Sequence, residues 1–261
     1  MGPARASGAR AGQPGALRAA RPPVGGHGGT LPAGANRGRR GPGRSVRRRG
    51  LARSRRSIGA HRESRVRVDG IVLAAGASTR AGGPKALALH EGRTFLAHAV
   101  ATLRAGGCAS VKVVLARPHG LRLRAHLGDA IPVWNPAPEE GQLSSLRCGL
   151  AASATCDAVV VSLVDHPRVA PETVAALLRV HGATGAWAVR PRRGAHRGHP
   201  LVLDRALFAR IAGGAGEGGL RAILRDVPAE RQRVVDVADP AIHEDLDTPA
   251  DIAAIGARLS G

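Results

Sequence analysis

The 261-residue chain contains no tyrosine, two phenylalanines and two tryptophans. Its core must therefore be built from Val, Leu, Ile and Ala. A reader of single-stranded nucleic acid, which stacks bases on aromatic rings, would find almost nothing to stack on here. Three cysteines (Cys108, Cys148 and Cys156) form no C-x-x-C pair. An odd count with that spacing speaks against a disulfide scaffold or zinc knuckle and fits a reducing compartment. No apolar run approaches the ~20 residues that cross a bilayer. The expectation is a soluble cytoplasmic protein with no membrane partner.

Acidic residues are scarce in one region only. Residues 1–68 carry 17 arginines, no lysine and one acid, Glu63, for a charge of +16, whereas the rest has 22 basic and 18 acidic residues, or +4. The pI near 11.8 thus belongs mainly to an arm. Residues 1–67 are dominated by Gly, Pro, Ala, Arg and Ser, as in Arg37-Gly-Arg-Arg-Gly-Pro-Gly-Arg44. Such a composition buries too little apolar surface to offset ordering entropy, so the arm is expected to be disordered. It could bind polyanions non-specifically. Arg55-Arg56 lacks the apolar stretch of a twin-arginine signal. Residues 68–261 are expected to form one domain.

Short apolar runs alternate with helical spacings along that domain. Strands are expected over 68–75, 111–116, 131–134, 158–164, 186–190, 200–203 and 233–237. Thr94 should cap a helix ended by Gly106-Gly107, and Pro171-Glu172 should open another. Weaker helices are expected over 119–127, 204–212 and 218–225. Ser144 and Ser145 are read as caps of a helix to about Ala154, and Thr248-Pro249-Ala250-Asp251 opens the last. The alternation predicts an α/β fold: a Rossmann-like three-layer sandwich, its mostly parallel sheet covered by helices on both faces. Ligands of such folds gather at the carboxyl ends of the strands.

The loop after the first strand is Leu73-Ala-Ala-Gly76-Ala-Ser78-Thr-Arg80-Ala-Gly82-Gly-Pro-Lys85. It is neither G-x-G-x-x-G nor a Walker A sequence. Its glycines let backbone N–H groups approach an anion, Ser78 adds a hydroxyl, and Arg80 and Lys85 add two cations. The same composition also fits a plain tight turn. The spacing L-A-A-G-x-S-x-R-x-G-x-P-K resembles the signature of the MobA-like nucleotidyltransferases. Four further blocks resemble the MocA-type branch, which includes molybdenum cofactor cytidylyltransferases. They are Asn135-Pro136 with Gly141, Ser144-Ser145-Leu146 and Gly149-Leu150; Asp165-His166-Pro167; Arg197-Gly198-His199-Pro200; and Asp245-Leu-Asp247-Thr-Pro249-Ala-Asp251.

The resemblance implies a Mg²⁺-dependent nucleotidyltransferase. An acceptor phosphate oxygen attacks the α-phosphorus of a nucleoside triphosphate and pyrophosphate leaves, so positive charge and positioning dominate. CTP is implied by Ala75, where the guanylyl branch usually has glycine, and molybdopterin is the implied acceptor. A molybdoenzyme or chaperone partner is implied with them. Leu73, Ala74, Ala75, Gly76, Ser78, Arg80, Gly82, Lys85, Ser144 and Ser145 would then hold the nucleotide. Lys85, Arg80 and Asp165 would be catalytic. Asp165, Asp245 and Asp247 are the implied metal ligands, since Mg²⁺ takes one or two carboxylates plus phosphate oxygens. His199 and His166 would meet the acceptor; His166 stands where Gln or Met is usual. Asp251 is read as a helix-start residue. Two other outcomes stay open. One is a sugar-phosphate or phospholactate acceptor. The other is an NAD(P)H-dependent reductase of a quinoid molecule on the same fold, against which three aspartates weigh, because hydride transfer needs no metal-binding carboxylate set.

Overall fold

A computed structural model describes residues 66–76, 83–214 and 218–259, all within the unit Ala60–Gly261. Residues 1–65 of the arm and the loop residues Ser78, Arg80 and Gly82 therefore lie outside the described residues. Along the chain run β1 (Val68–Leu73), β2 (Leu89–His90), β3 (Arg93–Thr94), α1 (Phe95–Ala105), β4 (Val111–Leu115), α2 (Gly120–Leu123) and β5 (Ile131–Trp134). They are followed by α3 (Gln142–Ala151), β6 (Ala158–Leu163), α4 (Pro171–Thr184), β7 (Ala188–Arg193), β8 (His196–Arg197) and β9 (Leu201–Asp204). The last elements are α5 (Phe208–Ala212), α6 (Gly219–Arg225), β10 (Gln232–Asp236) and α7 (Pro249–Ala254).

The main sheet has the order β10-β7-β9-β6-β1-β4-β5, with β8 paired to β7 as a hairpin. Neighbours are parallel at β1/β4, β1/β6, β4/β5 and β7/β10. Only β9, between β6 and β7, and the short β8 run antiparallel. Each strand side packs its own core. On one, Val72, Val113 and Val160 meet Phe95, Leu96 and Leu103 of α1, Val174 and Leu177 of α4, and Ile252 of α7. On the other, Ile71, Val114, Val159 and Val161 meet Leu146 and Leu150 of α3, Ile211 of α5, and Ile223 and Leu224 of α6. Alternate residues of β1, β4 and β6 thus face opposite cores, so those runs are apolar throughout, as central parallel strands are. The expected three layers are present.

The expected helix starts also occur. Thr94 accepts from the Ala97 N–H at 3.1 Å, Pro171 stands at the first turn of α4, and Thr248 with Asp251 forms a reciprocal capping box on α7. The expectation for Ser144 and Ser145 was wrong. The helix begins earlier, behind Gly141 at φ 88°, a left-handed value that glycine tolerates, and it ends at Ala151. Both serines are buried inside the first turn. Gly149 lets α3 lie against the sheet, because a Cβ there would come within 2.7 Å of Ile71.

Candidate active site

The carboxyl ends of β1 and β6 open on a cleft of about 370 Å³. Its walls include Leu73, Ala74, Ala75 and Gly76 from the end of β1, and Leu163, Val164 and Asp165 from the end of β6. Backbone bonds set these tips side by side: Ala74 N–H donates to Val114 at 3.0 Å and Val164 N–H to Leu73 at 3.4 Å. A 3-10 turn at Lys85–Leu87 then returns the chain to the cleft. Lys85, 80 residues from Asp165 in sequence, donates Nζ to Asp165 Oδ2 at 2.8 Å and to Asp247 Oδ1 at 2.5 Å.

Asp245 and Asp247 are not on an extended segment. Asp245 N–H donates to His243 at 3.0 Å and Asp247 N–H to Asp245 at 3.1 Å, a tight winding that sends both acids toward Asp165. They do different things there. Asp247 binds Lys85, whereas Asp245 joins Asp165 and His166 in a group in which one ligand atom from each lies within 4.8 Å of the others. Asp165 Oδ1 is buried with no hydrogen-bond partner among the described residues. His166 is buried, with Nδ1 3.2 Å from the Ala241 carbonyl and Nε2 3.9 Å from Asp165 Oδ1.

Charge follows this geometry. Burial pushes the Lys85 ammonium down, but the hydrogen bonds and charges of Asp165 and Asp247 outweigh it and raise it above the usual lysine value. Burial pushes Asp165 up, yet the Lys85 hydrogen bond and charge hold it below the usual carboxylate range. Asp245 goes the other way, raised by partial burial and by the charges of Asp165 and Asp247. Carboxylates crowded around one lysine are pushed apart in acidity, a pattern common at functional sites.

Ser145 lines the cleft, but Ser144 does not. Asn135 Nδ2 donates to Ser144 Oγ at 2.8 Å and to Ser145 Oγ at 3.0 Å, and Ser144 Oγ lies 2.8 and 2.9 Å from the Gly141 and Ala137 carbonyls. The serine pair and Asn135 thus form a buried clasp that shapes the loop before α3. His199 stands apart, in a second, mostly aliphatic cavity. Its ring centroid is 5.6 Å from that of His166, and burial, then the nearby His166, lowers its pKa to about 4. Gly198 is needed for its placement, since a Cβ would collide with the Ile242 carbonyl. Asp251 is confined to the α7 cap. Sequence reasoning missed Gln142 and His119, which line the cleft. Gln142 was open to discovery, because it follows the glycine that opens α3. Nothing in its neighbourhood distinguishes His119.

A parallel sheet with an acid-and-lysine cleft at its strand tips, fed by a glycine-containing loop, defines a nucleotide-handling α/β enzyme. Residues 70–234 match the MobA-like NTP transferase domain, and the chain belongs to that family of nucleotidyltransferases. It is 37% identical over 190 residues to the nicotine blue oxidoreductase of Paenarthrobacter nicotinovorans, an alignment covering 69% of this chain and 92% of that one. It is 31% identical over 197 residues to a probable molybdenum cofactor guanylyltransferase of Deinococcus radiodurans, covering 72% and 93%. Among solved structures, Rv0371c of Mycobacterium tuberculosis superposes with a TM-score of 0.64 at 28% identity, over 73% of this chain and 97% of that one. Rv0371c has also been solved as a manganese complex. Among the described residues no helix is long and apolar enough to cross a membrane.

Proposed function

We propose that the protein transfers a nucleoside monophosphate, CMP from CTP, to a phosphorylated acceptor of the molybdopterin type and releases pyrophosphate. The observation that carries this reading is the Lys85 bridge to Asp165 and Asp247 at the mouth of the β1–β6 cleft. A fixed cation and an excess of carboxylate meet where two anionic substrates would have to be brought together. In the reaction an acceptor phosphate oxygen bonds to the α-phosphorus, and the α–β bridging oxygen departs with the pyrophosphate. Lys85 and Arg80 would neutralise that leaving group, and the backbone at Ala74–Gly76 would lie along the triphosphate.

The donor set fits a divalent ion. The unpartnered buried Asp165 Oδ1 faces Asp245 and His166, and two carboxylates plus phosphate oxygens are the ligands Mg²⁺ favours. Asp165 and Asp245 would hold the ion, with His166 beside them. Asp247 has a separate task, to fix Lys85. When bound, the ion supplies Lewis-acid stabilisation of phosphate charge. Ala75 in the first block supports CTP over GTP. His199, neutral near pH 7 because of its lowered pKa, would meet the acceptor as a hydrogen-bonding group rather than as a cation.

A reductase of a quinoid molecule is the second reading, favoured by the 37% identity to a protein named an oxidoreductase. Hydride transfer gives Asp245 and the spare oxygen of Asp165 no task. The deciding experiment incubates the protein and Mg²⁺ with each of the four NTPs, offering molybdopterin or several sugar phosphates. Pyrophosphate is monitored, with NADPH consumption followed in parallel on a quinoid dye. Pyrophosphate with CTP and molybdopterin alone is expected. NADPH oxidation without pyrophosphate would replace this reading with the second.

A further inference from the structure

Beside the cleft lies a second cavity of about 260 Å³ that shares Leu73, Leu163 and Gln142 with it. Its remaining walls are mainly aliphatic, among them Leu143, Leu146, Val161, Leu201 and Leu220, and its polar lips are Glu140 and His199. In the sheet, β7, which carries the β8 hairpin, neighbours β9, whose Leu201 lines the cavity. Arg192 pairs directly with Arg197 across that hairpin, so the two side chains share a face, and Arg190, two residues back, shares it with them. Ala188, on the same face, packs in the core that contains Leu201. The β7–β9 register pairs Ala188 with Leu203, and its continuation sets Arg190 beside the cavity wall at Leu201.

The three arginines differ in what they already hold. Arg192 makes two bonds to Asp236, at 2.7 and 2.9 Å, and is thereby neutralised. Arg190 is half-buried and donates to the uncharged Gln232 Oε1 at 2.9 Å. Arg197 is exposed and meets no carboxylate among the described residues. Burial and, after it, the charge of Arg197 push the Arg190 guanidinium below its ordinary value, in keeping with their shared face. Neighbouring guanidinium groups on one face, at the edge of an apolar cavity, have the chemistry of a binding site for anionic oxygens.

We propose that Arg190 and Arg197 form an anion-binding pair for an oxyanion group (carboxylate, sulfonate or phosphate) of the acceptor, while the aliphatic cavity takes the acceptor's flat body. The acceptor is then a molecule that joins an anionic group to a flat apolar or heteroaromatic body, unlike a simple sugar phosphate, whose hydroxyls would find few partners on these walls. The identity of the occupant as acceptor rests on the transferase reading above. The binding itself does not.

The test uses the full chain and two fluorescent probes of matched shape, anionic 8-anilinonaphthalene-1-sulfonate and neutral N-phenyl-1-naphthylamine. The wild type is expected to bind both. Arg197→Gln, an exposed change that leaves the fold intact, should weaken the anionic probe about tenfold and the neutral one less than twofold. Arg190→Gln should act in the same direction. Leu220→Asn in the cavity wall should weaken both probes. Equal affinity of wild type and Arg197→Gln for the sulfonate overturns the proposal, as does an equal loss for the neutral probe or no binding of either. Probe contrast without pyrophosphate release in the NTP panel would sink only the transferase reading, and release without contrast only the anion pair.

Discussion

Two lysine–aspartate contacts sit at opposite ends of the same strands. At the amino ends, Lys112 of β4 donates Nζ to Asp69 Oδ2 of β1 at 2.5 Å and to Ser110 Oγ at 2.8 Å, with side-chain exposures of 5% and 0% for Lys112 and Asp69. At the carboxyl ends, Lys85 meets Asp165 and Asp247 with exposures of 11%, 17% and 21%. The first is closed: Lys112 and, at 3.8 Å, Arg67 answer one carboxylate, and neither Asp69 nor Lys112 lines the cleft or the second cavity. The second is open and overdrawn in negative charge, because three aspartates surround one lysine. A buried carboxylate outnumbered by cations, even with one oxygen lacking a hydrogen bond, has its charge answered and serves the fold. Carboxylates that outnumber their lysine at an open cleft leave negative charge that a further cation could answer.

The largest effect that could break this contrast is Asp165→Ala, expected to reduce pyrophosphate release by at least about a thousandfold, the scale of losing a group that organises transition-state charge. Circular dichroism should show the fold retained, and near-normal turnover with CTP and Mg²⁺ would remove Asp165 from the mechanism. At the other end, Asp69→Leu should cost about 3–5 kcal/mol in denaturant unfolding because it strands a buried ammonium. Asp69→Leu combined with Lys112→Met should recover most of that, with kcat unchanged in every folded variant. A drop in kcat there would show that the closed pair is also catalytic.

Next in size is Lys85→Ala, for which triphosphate binding should weaken about ten- to a hundredfold in calorimetric titration; unchanged affinity would make the loop a plain turn. The pH response is smaller. The depressed Asp165 contributes stability that is present above its unfolded value, ~3.9, and lost as pH falls through its folded value. Asp245 has the opposite sign. Its favourable share is present below the unfolded value and lost as pH rises through the raised folded one. Near neutrality the ionised Asp245 therefore costs stability, and a divalent ion should relieve this. Millimolar Mg²⁺ or Mn²⁺ should raise Tm by about 3 °C near pH 7.5, with the rise lost in Asp245→Asn. An equal rise in that variant would place the ion elsewhere. Smallest of all, deletion of residues 1–66 should shift Tm and kcat by less than the experimental scatter, and a marked loss of either would give the arm a role that its composition does not suggest.

Much of the fold was legible because its signals are local. The continuous apolar run at Val159–Val161, the Thr94 cap and the Thr248–Asp251 capping box each state their structure within a few residues. The β8 hairpin was not legible, since His196-Arg197 has neither length nor alternation. Nor was the start of α3, where a glycine with a left-handed backbone stood in for a side-chain cap. The site's members could be named from block spacing, but their pairing could not. Asp245 and Asp247 look equivalent in the chain, and their division of labour arises from a backbone winding that no local pattern announces.

Residue order alone determined that Val, Leu and Ile runs would be buried in a parallel sheet, that helices would start where caps stand, and that cations and carboxylates would be available in five separated blocks. Those properties depend on neighbours within a turn or a strand. Only the tertiary structure decided that Lys85 lies between Asp165 and Asp247, that Asp69 meets Lys112 at the other end of the sheet, and that Arg192 and Arg197 pair across a hairpin. Charges act through space and through the burial around them, and the distance between two side chains is fixed by strand order and loop winding rather than by their separation along the chain.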